Sequence, residues 1–123
     1  FFHFLSNPHR MQPLVNTLQP PYYAVVFTSQ RTGVSDDYEM TAKRMVELAA
    51  QQPGFLGVES ARGLDGVGIT VSYWETLESI SAWKTMGEHH DAQTKGKDVW
   101  YSSYRLRICK VEREYGFDGK TQT

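Results

Sequence analysis

The run Gly68-Ile69-Thr70-Val71-Ser72-Tyr73-Trp74 constrains the fold more than any other stretch of the chain. Its β-branched and aromatic residues favour a strand. Just upstream, Leu64-Asp65-Gly66 joins it to an earlier strand over residues 55–62, because Asp-Gly supplies the positive φ values that a tight hairpin requires. Within one helix's length downstream come Trp83, Glu88 and His89, and then Trp100-Tyr101. A strand feeding an aromatic-lined helix with an imidazole near its end describes a small domain with an aromatic cavity. No recognisable metal or nucleotide motif accompanies it.

The other elements follow from local chemistry. Pro20-Pro21 cannot join a ladder, so a first strand is predicted over 22–30, with Val25, Val26 and Phe27 supplying bulk. Ser35 or Asp36 is placed to cap a helix whose apolar positions Tyr38, Ala42, Met45, Leu48 and Ala49 recur at three and four, and Pro53-Gly54 ends it. Thr76 opens a second helix through Trp83, with Leu77 and Ile80 on the same face and Glu75 and Glu78 near its positive end. Gly87 breaks or bends it. A short helical piece over 88–96 leads to a last strand from Val99 or Tyr101 to about Tyr115, with Tyr104, Leu106 and Ile108 on one face. The order strand, helix, strand, strand, helix, strand is the split βαβ, or ferredoxin-like, arrangement: an α+β fold with an antiparallel sheet.

The 123 residues suffice for one compact core and not for two ordinary domains. Residues 1–19 read as a leader or flexible segment, native or vector-derived in its first ten residues, with a candidate start at Met11. Residues 20–115 form the domain, and 116–123 a polar tail. A net charge of −1 with no run of Lys or Arg leaves no electrostatic footprint for nucleic acid or an anionic membrane. No apolar run approaches the roughly 20 residues of a membrane span. One cysteine, Cys109, excludes an internal disulfide and a zinc cluster, and a cytoplasmic location is expected.

Four antiparallel strands covered by helices on one side leave an apolar face bare, which a soluble protein seldom exposes. The simplest cover is a second copy related by a two-fold axis, with the final strand crossing to the partner. A homodimer is expected.

With these elements in place the sequence resembles the antibiotic biosynthesis monooxygenase (ABM) domain family, the dimeric α+β barrels. The matching pieces are Pro20-Pro21-Tyr22-Tyr23-Ala24-Val25-Val26-Phe27, Gln52-Pro53-Gly54-Phe55-Leu56-Gly57-Val58-Glu59-Ser60, the run ending in Trp74, Trp83 with Glu88-His89, and Trp100-Tyr101 through Lys110-Val111-Glu112-Arg113. The resemblance implies a dimer of ferredoxin-like units with a cavity between each sheet and its helices. Some relatives oxygenate polyketide quinols without metal or flavin, and others bind and degrade haem. For haem degradation the resemblance implies an Asn, Trp and His set. Trp83 matches the Trp and His89 is a spacing-shifted match to the His. The first strand offers Phe27, Thr28 and Ser29 where the Asn would fall, which argues against that activity.

Each candidate residue has a plainer reading. An imidazole with an ordinary pKa near 6.5 serves as a base or an axial iron ligand near neutrality. Helical spacing through Ile80, Trp83 and Met86 turns His90 inward, whereas the resemblance favours His89, which is taken here. The plainer reading has both decorating a helix end. Trp83 and Trp74 could wall a planar substrate, although core packing explains Trp83 well and Trp74 better still. Tyr101 and Tyr104 fall on opposite faces of a regular strand, so at most one meets the cavity. Arg105 and Arg107 share a face and suit a carboxylate, with Glu59, Glu112 or Glu114 as ordinary partners. Cys109 is read as a small core residue.

Two functions from different classes follow. The first is a cofactor-independent monooxygenase acting on a small aromatic, quinol-like molecule, with His89 as base and Trp83 and Tyr104 positioning the ring. The second is a dimeric module that binds haem or another hydrophobic small molecule without turnover. A structural dimer whose cavity is filled by its own side chains is a third.

Overall fold

The computed structural model describes residues 14–34 and 37–119. In chain order the elements are β1 (Tyr22–Arg31), α1 (Tyr38–Ala50), β2 (Phe55–Arg62), β3 (Val67–Trp74), α2 (Leu77–Thr85), α3 (Gly87–Lys95), a π-helical turn (Gly96–Trp100) and β4 (Tyr101–Val111). All neighbouring strands are antiparallel in the order β2-β3-β1-β4, the ferredoxin-like topology.

The predicted punctuation operates with identifiable bonds. In the hairpin, Gly66 takes φ 88° and Asp65 Oδ1 accepts from the Val67 N–H at 3.0 Å. Thr76 caps α2 through a reciprocal box with Ser79, its hydroxyl accepting the Ser79 N–H at 3.0 Å. Gly54, at φ 84°, lets the chain turn beneath α2; a Cβ there would lie 2.7 Å from Ser79 Cβ, so only glycine fits. The break near Gly87 is made by Met86, whose extended backbone ends α2 and starts α3.

Several expectations are corrected. Asp37, at φ 58°, takes the N-cap position of α1 and makes no side-chain capping bond. Ser35 and Asp36, expected to cap it, lie outside the described residues, as do residues 1–13 with the candidate start at Met11. Strand β4 begins at Tyr101 and stops at Val111, short of Tyr115. Its partner β1 starts at Tyr22, paired with Val111, and the prolines before it offer no N–H to prolong the ladder. Cys109 is exposed rather than in the core, because β4 is the sheet's edge and Cys109 faces away from the helices beside Ala24.

Register decides which face each residue serves. Val25 and Phe27 of β1 pair with Ser72 and Thr70 of β3 and with Ile108 and Leu106 of β4, all toward the helices. There the core gathers Met45, Leu48 and Ala49 of α1, Trp74 of β3, Ile80 and Trp83 of α2 and Ala92 of α3. The other face carries Val26, Val67, Ile69 and Val71. Part of it is already covered by the chain itself. The Val15 N–H donates to Glu59 Oε2 at 2.8 Å and the Leu18 N–H to Glu114 Oε2 at 2.7 Å, so residues 14–19 are strapped across this side. Tyr73 and Tyr22 donate their hydroxyls to the same two carboxylates. Val67 and Ile69 stay 42% and 48% exposed.

Candidate active site

A cavity of about 260 Å³ lies between the helix-bearing face of the sheet and the α2–α3 corner. Its apolar walls are Val25, Phe27, Ile80, Trp83, Leu106 and Ile108. Its polar groups are Thr70 and Ser72 on the floor, His89 and Tyr104 in the wall, and Lys84, Gln93 and Lys97 on the helical side. The three residues singled out from the sequence, His89, Trp83 and Tyr104, therefore share one cavity.

The extended Met86 backbone brings the first turn of α3 back over the end of α2. His89 Nδ1 lies 2.9 Å from the Trp83 carbonyl oxygen, which also accepts the Met86 N–H. A carbonyl only accepts, so Nδ1 carries the proton and the lone pair resides on Nε2. The imidazole stacks on the Trp83 indole with centroids 4.2 Å apart and planes 15° from parallel. Trp83 in turn stacks on Trp74 at 6.1 Å, and Trp74 receives the edge of Phe55 at 5.3 Å. A column of four rings thus runs from the core to the imidazole. Trp74 is fully buried and backs the cavity without lining it.

Burial pushes the His89 pKa down to about 4, against which the bond to the Trp83 carbonyl works only in part. His89 is neutral at pH 7. His90 is exposed, so the choice between the two histidines falls on the one the resemblance favoured rather than the one helical spacing favoured. The Met86 break resets the spacing, which is why periodicity carried across it points to the wrong residue.

The depressed pKa has a stability consequence. Between pH 6.5 and about 4 the unfolded chain binds a proton at His89 that the folded chain refuses, so folding stability falls as pH drops through this window. The loss reaches about 3 kcal/mol. Urea titrations at stepped pH should show this slope in the native sequence and not in His89→Phe, which keeps a ring on Trp83. Identical slopes would contradict the burial of a neutral imidazole.

Tyr104 and Tyr101 do not behave as a regular strand dictates. The ladder slips between Gln30, paired with Ser103, and Arg31, paired with Tyr101. The extra residue turns Tyr101 to the same side as Tyr104, and both rings meet Phe27, at 5.4 and 5.3 Å. Tyr101 is buried against Tyr38, hydroxyl to hydroxyl at 3.1 Å, and only Tyr104 lines the cavity. Arg105 and Arg107 face the opposite side of the sheet. Their expected partners Glu59 and Glu114 are engaged by Tyr73 and Tyr22, and neither arginine forms an ion pair among the described residues.

Sequence reasoning missed Thr70, Ser72, Lys84, Gln93 and Lys97. Alternation along β3 would have put Thr70 and Ser72 on the face of Trp74. Nothing local marks the other three, which meet only because α2, α3 and the π turn fold over one sheet. Both floor hydroxyls are occupied: Thr70 with Ser60 at 2.7 Å and Ser72 with the Trp74 indole N–H at 3.0 Å.

Sheet order and cavity together define a ferredoxin-like α+β domain with an aromatic ligand-sized hollow under its helices. The chain belongs to the antibiotic biosynthesis monooxygenase family, whose model matches residues 21–95. It is 51% identical over 111 residues to the uncharacterized protein YqjZ of Bacillus subtilis strain 168, covering 90% of this chain and 97% of that one. It is 32% identical over 92 residues to the jasmonate monooxygenase ABM of Pyricularia oryzae, covering 72% of this chain and 43% of that protein. The chain thus spans less than half the length of this second relative. Among solved structures it is similar to SnoaB, a cofactor-independent oxygenase from Streptomyces nogalater, with TM-score 0.66 and 14% identity over 77% of this chain and 97% of that one. That likeness concerns the fold.

Proposed function

We propose that this chain is a cofactor-independent monooxygenase of the ABM type, acting on a small aromatic, quinol-like substrate in the cavity beside Trp83. The observation that carries the reading is His89: a buried neutral imidazole with its proton committed to the Trp83 carbonyl and its Nε2 lone pair in the wall of an apolar hollow. The monooxygenase relative and the cofactor-independent oxygenase of the same fold support it.

In this reaction the substrate itself supplies the electrons. His89 accepts the substrate's hydroxyl proton, the resulting anion passes one electron to O2, and the radical pair combines at a ring C–H carbon to a peroxide anion that takes the proton back from His89 as the hydroperoxide. Loss of water leaves one oxygen atom on the ring as a quinone carbonyl. Moving a proton from a phenol near pKa 10 to an imidazole near 4 is uphill by about 8 kcal/mol. That step remains affordable, since a turnover of about 10 per second corresponds to a total barrier near 16 kcal/mol. Trp83 and Tyr104 hold the ring, and the apolar walls exclude water that would otherwise stabilise the anion in its resting state.

The cavity also bears on haem. At about 260 Å³ it lies under the roughly 300–1,000 Å³ of pockets for drug-sized ligands, which supports a molecule of one or two rings over a macrocycle. Oxygen consumption with a naphthohydroquinone, above the rate of autoxidation, tests the proposed reaction. Haemin should give no Soret shift that depends on His89. A shift without oxygen uptake would replace the oxygenase with the binding module.

The working form is proposed to be a homodimer in the cytoplasm. Val67 and Ile69 expose apolar surface on the helix-free face beyond the reach of residues 14–19, and no helix among the described residues is long and apolar enough to cross a membrane. Sedimentation equilibrium at micromolar concentration should return twice the chain mass. A monomer, with Ile69→Lys sedimenting identically, would remove the assembly.

A further inference from the structure

The cavity that houses the proposed reaction is apolar on most sides, yet its charged lining is of one sign. It holds Lys84 and Lys97 and no carboxylate. Both lysines are exposed, one from the last turn of α2 and one from the π turn. Neither forms an ion pair or hydrogen bond among the described residues. The nearby acids Glu88 and Asp91 belong instead to the groove on the far side of α3, where Arg44 holds Glu88 at 3.2 Å. With His89 neutral, the field across the opening is that of two cations with the Gln93 amide beside them.

We propose that the substrate carries an anionic head, a carboxylate on its apolar ring system, and that Lys84 and Lys97 hold it at the mouth while the ring lies beside Trp83 and Tyr104. This rests on the oxygenase reading of the cavity and names its substrate class. The charges sit where the head of an amphipathic acid would stay wet while its ring is buried, so no carboxylate must be desolvated fully. Lysine suits the task, being a compact cation on a flexible stem that follows a head whose position varies. The same cations draw the acid toward the opening at low ionic strength. They also stabilise an anion formed deeper in the cavity, which lessens the uphill proton transfer to His89.

A different role for Lys84 follows from its place at the C-terminus of α2, where any cation offsets the helix dipole. That role affects stability and not ligand choice, and the test separates the two. Naphthoate and its methyl ester, which share a ring and differ in charge, are titrated by quenching of tryptophan fluorescence. Naphthoate is expected to bind about tenfold more tightly than the ester at low salt, with the preference shrinking as ionic strength rises. In the double variant K84M/K97M the preference should vanish while the ester binds as before. An ester that binds as tightly as the acid, or a preference that survives in the double variant, overturns the anionic head and leaves the oxygenase reading standing. Failure of both probes to bind overturns the two together.

Discussion

Replacing His89 by alanine is expected to lower oxygen uptake on quinol substrates at least 100-fold, while far-UV circular dichroism stays unchanged. Proton transfer by a positioned side chain contributes typically 10²–10⁴ in rate, about 3–5 kcal/mol of barrier. Here the imidazole is held at both ends of its geometry, by the 2.9 Å bond to the Trp83 carbonyl and by the 4.2 Å stack on the indole, so little reorganisation precedes proton acceptance. His89→Gln, which offers a carbonyl acceptor with no basicity, should fall between the two. His90→Ala should retain activity within twofold, because that ring is exposed. The pH profile gives a second check. Since the neutral form persists down to about pH 4, the acid limb of kcat/KM belongs near 4 and not near 6.5. Uptake in His89→Ala within threefold of the native rate would remove His89 from the chemistry.

The largest loss of stability is expected at Trp74. It is fully buried, stacks on Trp83, receives the edge of Phe55 and donates its indole N–H to Ser72 at 3.0 Å. Truncation to alanine removes the transfer free energy of the ring, leaves a cavity and strips Ser72 of its donor, a cost of about 4 kcal/mol. For a chain of this size the melting temperature should drop by roughly 15 °C. Trp74→Phe restores most of the volume and should cost about half as much. Because Trp74 props the indole on which His89 lies, Trp74→Phe should also loosen substrate binding. A melting temperature within about 3 °C of native in Trp74→Ala would mean that the ring column does not carry the core.

How much of this was legible in the sequence depended on how local its cause was. The Asp65-Gly66 hairpin, the Thr76 cap, the Pro53-Gly54 stop and the break near Gly87 are each settled by residues within a few positions of one another, although the break falls at Met86 and only Gly66 of the hairpin pair takes a positive φ. Tyr101 went to the wrong face because alternation assumes an unbroken ladder, and the slip opposite Gln30 and Arg31 is set by two strands some seventy residues apart. Cys109 was placed in the core because an apolar-alternating run looks the same at the edge of a sheet as at its centre. Strand β4 ends at Val111 because its partner β1 begins opposite it at Tyr22, a limit set by a residue some ninety positions away.

Local chemistry and hydrophobic period were sufficient, before any coordinates, for the element order, the ferredoxin-like topology and the aromatic character of the domain. They also pointed to Trp83 and Tyr104, while the family resemblance pointed to His89, and the three line one cavity. Only the tertiary structure decided that His89 rather than His90 turns inward, that its proton sits on Nδ1, and that Lys84 and Lys97, without an ion pair among the described residues, line the same cavity. The physical reason is range. Capping, turn chemistry and side-chain periodicity act over a few residues, whereas a cavity is the space left between elements, and its charge and protonation depend on what the rest of the chain packs around it.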